Sequence, residues 1–380
     1  MTAAGRAYFR YHFRSKWKIL LCITVITLAI TLSYSVDQRI PNKIYDDAGQ
    51  VIGLRYYYLS TLKTPFVVLS VCSCLFPVIE FAIFKKRRNL DCLYSLPISR
   101  KEMGIAHYIT GWFCVVIPYS CAYVLNFLLM LRYPDGFHYR PLLGSYFLSM
   151  GMAFCIYSVY AFLFNRANTV FDGIIFMLMG TFVITAAVSA WNTLTLTVCQ
   201  SFRPETVHYS EFYKMWQESY EMPYTEMTNP IGALFDVRVL LEGLVEKNDG
   251  SIFIRLKSRT EAMHDWRYVV WYALWGLVGI AAVFGFVFSF GKDRAEKTEE
   301  VSDSWFGYKL MIPLYAGIAT IGSGGMGLFG IVIISFAAYI IYRRGFHLKL
   351  SNWLTWAGII SLNITVQSVN SLVYVIVFGN

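Results

Sequence analysis

The chain has 380 residues, of which 56% are hydrophobic and only 15% charged, with a net charge of +9. A soluble chain carries about a quarter charged residues, so the composition excludes an ordinary water-soluble domain and predicts an all-α polytopic transmembrane helical bundle. The positive excess lies mostly at the ends of apolar runs, where it anchors membrane spans, so it does not mark a nucleic-acid surface.

Residues 1–16 read as an N-terminal interfacial amphipathic segment. Arg6, Arg10, Arg14 and Lys16 interleave with Tyr8, Phe9 and Phe13, bases toward phosphates and aromatics toward the headgroup region. The apolar run that follows has no small-x-small cleavage site at its end, so it reads as span one, 17–36, rather than a cleavable signal. Residues 37–61, with Asp37, Pro41, Asp46, Asp47 and Gly49, have turn character. Span two covers 62–84. Pro65 is tolerated at an early helical position, and Pro77 predicts a kink. Glu80, near the end of this span, is expected to pair with a lysine or arginine at the interface.

The stretch 85–104, KKRRNLDCLYSLPISRKEMG, is the most informative in the chain. Lys85, Lys86, Arg87 and Arg88 hold that end on the cytoplasmic side. Leu90, Cys92, Leu93, Leu96 and Ile98 then alternate loosely with polar residues. Pro97 biases Leu96 away from helical geometry, and Ser99 with Glu102 has the spacing of a capping box. The pattern predicts a short amphipathic helix, a proline break and a new helix start. A membrane protein that takes force from a soluble partner could use such an element.

Span three follows at 106–131, with Pro118 inside it, span four at 143–164 and span five at 169–190, which completes a five-span core over 17–190. Asp172 is expected to pair with nearby Arg166. Residues 191–268 hold 8 Lys or Arg against 11 Asp or Glu, and this acidic balance places them outside as a loop or cap. Within them Tyr209, Phe212, Tyr213, Met215, Trp216 and Tyr220 form an aromatic patch. Leu234, Val237, Leu241 and Leu244 give 231–247 the periodicity of an amphipathic helix. A sixth span, 269–290, leads to a cytoplasmic linker, 291–309, and a C-terminal hydrophobic region, 310–380. Its first run, 310–342, would extend about 50 Å as one helix, too long for an ordinary span and short for two. The glycine-rich GSGGMG at 322–327 and the basic Arg343, Arg344 and Lys349 beyond predict a tight or partly re-entrant hairpin; a single long tilted helix is the alternative. The last run, 353–377, places Asn363, Gln367 and Asn370 on one face, suited to an interhelical contact.

No G-x-x-x-x-G-K-[ST] phosphate loop and no H-E-x-x-H occurs. The eight cysteines show neither metal spacing nor a disulfide framework. The six histidines are dispersed, and no Asp/Glu/His cluster marks a span centre, so a proton- or metal-coupled mechanism is not expected. No catalytic, cofactor-binding or metal-binding residue stands out, and the chain is not expected to be an enzyme by itself.

The segment LDCLYSLPISRKEMGIAHYITGW, 90–112, resembles the cytoplasmic loop and following span of type-2 ABC exporter permeases of Gram-positive bacteria. Leu96, Pro97, Ile98, Ser99 and Arg100 match that family's run directly, and His107 stands where a lysine is common. RAEKTEEVSDSWF at 294–306 and RRGFHLK at 343–349 resemble a subgroup with an extra carboxy-terminal region. The resemblance implies a separate ATP-binding cassette ATPase subunit that binds ATP and Mg, with no cofactor in this chain. It makes the loop a coupling element in which Leu90, Asp91, Leu93, Tyr94, Leu96, Pro97 and Arg100 contact the ATPase, flanked by Lys101 and Glu102. It also implies a second permease chain, as homo- or heterodimer, and a multi-pass location in the bacterial plasma membrane among membrane lipids. Relatives of this arrangement continue into a soluble tail, so a form shortened at Asn380 is expected. The function implied is export of a peptide, lipid or drug-like substrate. Alternatives are a sensory or accessory membrane protein that binds an extracellular ligand through 191–268, and an integral-membrane lipid-modifying enzyme.

Overall fold

The computed structural model describes residues 2–37, 42–45, 51–55, 58–130, 139–201, 230–234, 266–290, 298–300, 302, 304–323, 328–343, 345–346 and 350–378. The chain is an all-α bundle; among the described residues six helices are long and apolar enough to cross a membrane: Ala3–Ser33, Pro65–Lys85, Arg100–Leu129, Leu143–Asn165, Val170–Leu196 and Val270–Phe290. It is a membrane-embedded, multi-pass protein. Two compact units divide it, Met1–Asn165 with Pro230–Glu299, and Arg166–Asn229 with Glu300–Asn380.

The first unit opens with α1, Ala3–Asp37. The expected interfacial segment and span one lie on one continuous helix. After Gly5 this stretch contains no glycine or proline to interrupt the backbone ladder. Where the sequence shows only turn character, a short antiparallel hairpin follows, β1 (Asn42–Tyr45) on β2 (Val51–Arg55), with Asn42 opposite Arg55. The remaining helices of this unit are α2 (Tyr58–Phe81), α3 (Arg87–Tyr94), α4 (Arg100–Met130), α5 (Tyr139–Asn165) and α7 (Trp266–Phe290).

Helices α1, α2 and α4 pack on one another, and α5 packs on α2 and α7. Hydroxyl pairs join α4 to α5: Tyr108 to Ser158 at 2.7 Å, Tyr119 to Ser149 at 2.6 Å, and Tyr123 to Ser145 at 2.7 Å. As residue numbers rise along α4 they fall along α5, the register of an antiparallel pair. Where lipid leaves no hydrophobic drive between helices, such bonds and close packing hold spans together. At one end of the unit, Phe81, Phe84, Phe286 and Phe290 form an aromatic cluster with centroids 5.0 to 6.4 Å apart. Lys85 is buried beside this cluster. Its ammonium donates to the carbonyl of Asn165, the last residue of α5, at 3.0 Å. One charge of the basic block therefore caps a helix C-terminus, where a cation is favoured. Asn165 Nδ2 donates on to Ser289 Oγ at 3.2 Å, tying in the end of α7.

The second unit contains α6 (Val170–Ser201), α8 (Leu310–Gly322), α9 (Leu328–Arg343) and α10 (Leu350–Phe378). In the long apolar run α8 ends at Gly322 and α9 begins at Leu328, and the two helices are in contact; residues 324–327, where the hairpin turn is expected, lie outside the described residues. At 1.5 Å per residue the two helices reach only about 20 and 24 Å, short of a bilayer core of about 30 Å. Asp172 does not pair with Arg166. Its carboxylate accepts from the Tyr308 hydroxyl at 2.8 Å and the Ser302 amide at 3.2 Å, so it pins the segment before α8 to the start of α6. Gly307 leaves helical geometry where the Phe176 ring lies close; a Cβ there would stand 2.2 Å from the ring. In α10, Asn363 is buried and Gln367 exposed, while the side chain of Asn370 lies outside the described residues, as do the 209–220 aromatic patch and Val237, Leu241 and Leu244. Leu234 is buried within the first unit.

Candidate functional site

The loop between α2 and α4 folds as its sequence dictates. Helix α2 tightens into a 3-10 turn at Ala82–Lys85, Lys86 becomes extended (φ −119°, ψ 122°), and α3 begins at Arg87. Leu96 and Pro97 stand in the turn after α3, and α4 starts at Arg100. The Ser99 half of the capping box is formed: the Glu102 amide donates to Ser99 Oγ at 3.3 Å.

The nine residues expected at a partner surface divide into two groups. Asp91, Leu96, Pro97, Arg100 and Lys101 are exposed, and Leu93 and Tyr94 half-buried. The Arg100 guanidinium lies 4.1 Å from the Tyr94 ring centroid, a cation–π contact that closes the turn. Leu90 is 2% exposed; it anchors α3 to the protein and does not present itself outward. The Glu102 carboxylate is taken by the start of α1, where it accepts from the Thr2 amide and, at 3.0 Å, from the Thr2 hydroxyl. An acid at a helix N-terminus is favoured by the backbone dipole. Charge at 102 therefore fixes α1.

A further clamp comes from beyond α7. The Arg87 amide donates to Glu299 Oε1 at 3.3 Å, and Arg87 Nε donates to the Thr298 carbonyl at 3.0 Å. The first orphan amide of α3 is thus capped by a residue 212 positions away. Glu299 has φ 71°, left-handed geometry that is uncommon outside glycine. Loss of a helix cap costs about 1 kcal/mol. Glu299→Ala should therefore speed amide exchange over 87–90 by about fivefold, measured by hydrogen–deuterium exchange, and leave α4 unaffected.

Behind this loop lies a buried polar node that the sequence reading did not anticipate. His12 of α1, Glu80 of α2 and His107 of α4 are all buried and meet at one carboxylate. In the tautomers that satisfy the node, His12 Nε2–H donates to Glu80 Oε2 at 2.7 Å, and His107 Nδ1–H donates to the same oxygen at 3.1 Å. The Tyr8 hydroxyl donates to His107 Nε2 at 2.9 Å. The Lys16 ammonium stands 3.2 Å from Glu80 Oε1, close enough to pair its charge though outside hydrogen-bond alignment. The basic partner expected for Glu80 is therefore Lys16. The two imidazoles lie 3.8 Å apart by ring centroid, and Phe84 closes one side edge-on to His107 at 4.8 Å.

The expectation that the histidines are dispersed is corrected here. They are dispersed along the chain and convergent in space, because three helices with 68 and 27 residues between their contributions pack side by side. A periodicity reading of single helices carries no information on that meeting. The only available signal was polarity itself, since an ionisable residue within an apolar span faces protein rather than lipid.

The fold and this geometry define a multi-pass helical membrane protein with a basic loop between two of its membrane helices. Searches of family models, curated proteins and solved structures find no match to this chain.

Proposed function

We propose that this chain is the permease subunit of an ATP-binding cassette export system in a bacterial plasma membrane. In this reading it works with a separate ATPase subunit and with a second permease chain, identical or paralogous. ATP and Mg are held by the partner, and this chain performs no hydrolysis. The observation that carries the reading is the exposed Leu96–Pro97 turn after α3, between two membrane helices and stiffened by the Arg100–Tyr94 contact. Apolar anchors with flanking charges suit docking into a partner's cleft, the first gripping and the second setting register.

The buried node gives the turn something to push against. It joins α1 to α2 and α4, the two helices that flank α3, so in this reading a displacement of the turn is passed to three helices together. Movement of the ATPase pair would then shift the population between inward- and outward-facing states. The exported cargo is of the peptide, lipid or drug-like class.

The test is capture of the full chain from its own host's membranes in mild detergent, with and without a non-hydrolysable ATP analogue. A stoichiometric, nucleotide-sensitive ATPase subunit is expected. Leu96→Asp and Arg100→Glu should each weaken its recovery about tenfold while membrane insertion stays normal. Unchanged recovery in both variants would refute the coupling role.

A further inference from the structure

We propose that His12, Glu80 and His107 form a binding site for a divalent transition-metal ion of the zinc class. The inference stands on the node's geometry alone and needs no ATPase partner. One ligand atom from each of His12, Glu80 and His107 lies within 4.8 Å of the other two, all three residues are buried, and the nitrogens that already face Glu80 are His12 Nε2 and His107 Nδ1. Two imidazoles and one carboxylate are a donor set that suits zinc rather than magnesium or calcium, which favour oxygen ligands.

The two contacts to Glu80 need only small adjustments, and the two imidazole nitrogens, within 4.8 Å of each other, close to the zinc spacing by rotation of the rings. Tetrahedral zinc with bonds near 2.0 to 2.1 Å holds its donors about 3.3 Å apart. The present separations from Glu80 Oε2 are 2.7 Å to His12 and 3.1 Å to His107. The first pair must open by about half an ångström and the second by about two tenths.

The outer partner of one ligand is already in place. A metal on Nδ1 of His107 requires that ring's proton on Nε2, and the Tyr8 oxygen, 2.9 Å away, accepts it. The Tyr8 hydroxyl turns from donor to acceptor, and the second nitrogen of a metal-bound histidine is commonly held this way. No proton need leave the site, because His107 moves its proton to Nε2 and His12 moves its own from Nε2 to Nδ1, so each ring changes tautomer and not charge.

Lys16 opposes the ion. Its ammonium pairs with Glu80 in the present structure, and its side chain is 20% exposed. A lysine so placed can withdraw along its own stem toward the headgroups, leaving a fourth position to water. Lys16 thus sets the affinity, and removing its charge should strengthen binding. An ion held here would crosslink α1 to α2 and α4.

The test uses the full chain, purified in detergent, stripped with chelator and titrated with Zn²⁺ by calorimetry. Co²⁺ serves as a spectroscopic probe through its visible absorption. One ion per chain is expected. His12→Ala and His107→Ala should each lower affinity by more than about a hundredfold, and Tyr8→Phe by about tenfold. Lys16→Met should raise affinity. If His107→Ala does not fold, His12→Ala carries the comparison. The proposal is overturned if the native chain binds no Zn²⁺, if binding occurs only in Lys16→Met, or if His12→Ala binds as the native chain does.

Discussion

Replacing Glu80 by alanine should destabilise the folded chain by about 3 kcal/mol, measured by reversible unfolding in mixed micelles. The carboxylate is the one acceptor at the centre of the node. Without it, Lys16 loses its counter-charge and two buried imidazole N–H groups lose their acceptor. Truncating one member of a buried ion pair is costly because the other charge is left without a partner, more than because the pair itself is strongly favourable. Glu80→Gln keeps the shape and one acceptor oxygen, so its cost should be smaller, about 1 to 2 kcal/mol. Lys16→Met should cost less again, since that side chain already reaches the surface. Equal stability in Glu80→Ala and the native chain would show that the node does not hold α1 to its neighbours.

The second large effect is expected at Gly279 in α7. A Cβ there would stand 2.9 Å from the Cα of Cys155 and 2.7 Å from its sulfur, so α5 and α7 would have to part. Overpacking of this kind costs about 1 to 3 kcal/mol, and backbone so close to backbone cannot rotate aside as a long side chain would. Gly276, one turn earlier on the same helix, faces open space. Gly276→Ala should therefore be neutral or stabilising by up to about 1 kcal/mol, because alanine is the better helix former. The pair separates packing from propensity within one helix. Equal thermal midpoints for Gly279→Ala and Gly276→Ala would contradict the close approach of α5 and α7.

These two sites show different degrees of legibility. The six long helices and the α3–turn–α4 element follow from local features: apolar length, the basic block, Pro97 and Ser99. Each acts within a few residues, so each could be read from the chain directly. Asp172 was misassigned because Arg166 is near in sequence, whereas its partners Ser302 and Tyr308 come from 130 and 136 residues away. The family resemblance implies Leu90 at the partner contact and Glu102 beside it; the burial of Leu90 and the bonds from Thr2 to Glu102 come from packing that a short motif does not carry.

The amino-acid sequence by itself determined that this is a multi-pass helical membrane protein, roughly where its apolar helices lie, and which loop carries the basic turn. Those properties depend on hydrophobic length and on backbone preferences, both set by neighbours in the chain. Only the tertiary structure decided that His12, Glu80 and His107 share one buried point, that Lys85 caps α5, and that Glu299 caps α3. A polar group in an apolar span must find its partner on whichever helix packs beside it, and that choice is made by the whole bundle at once.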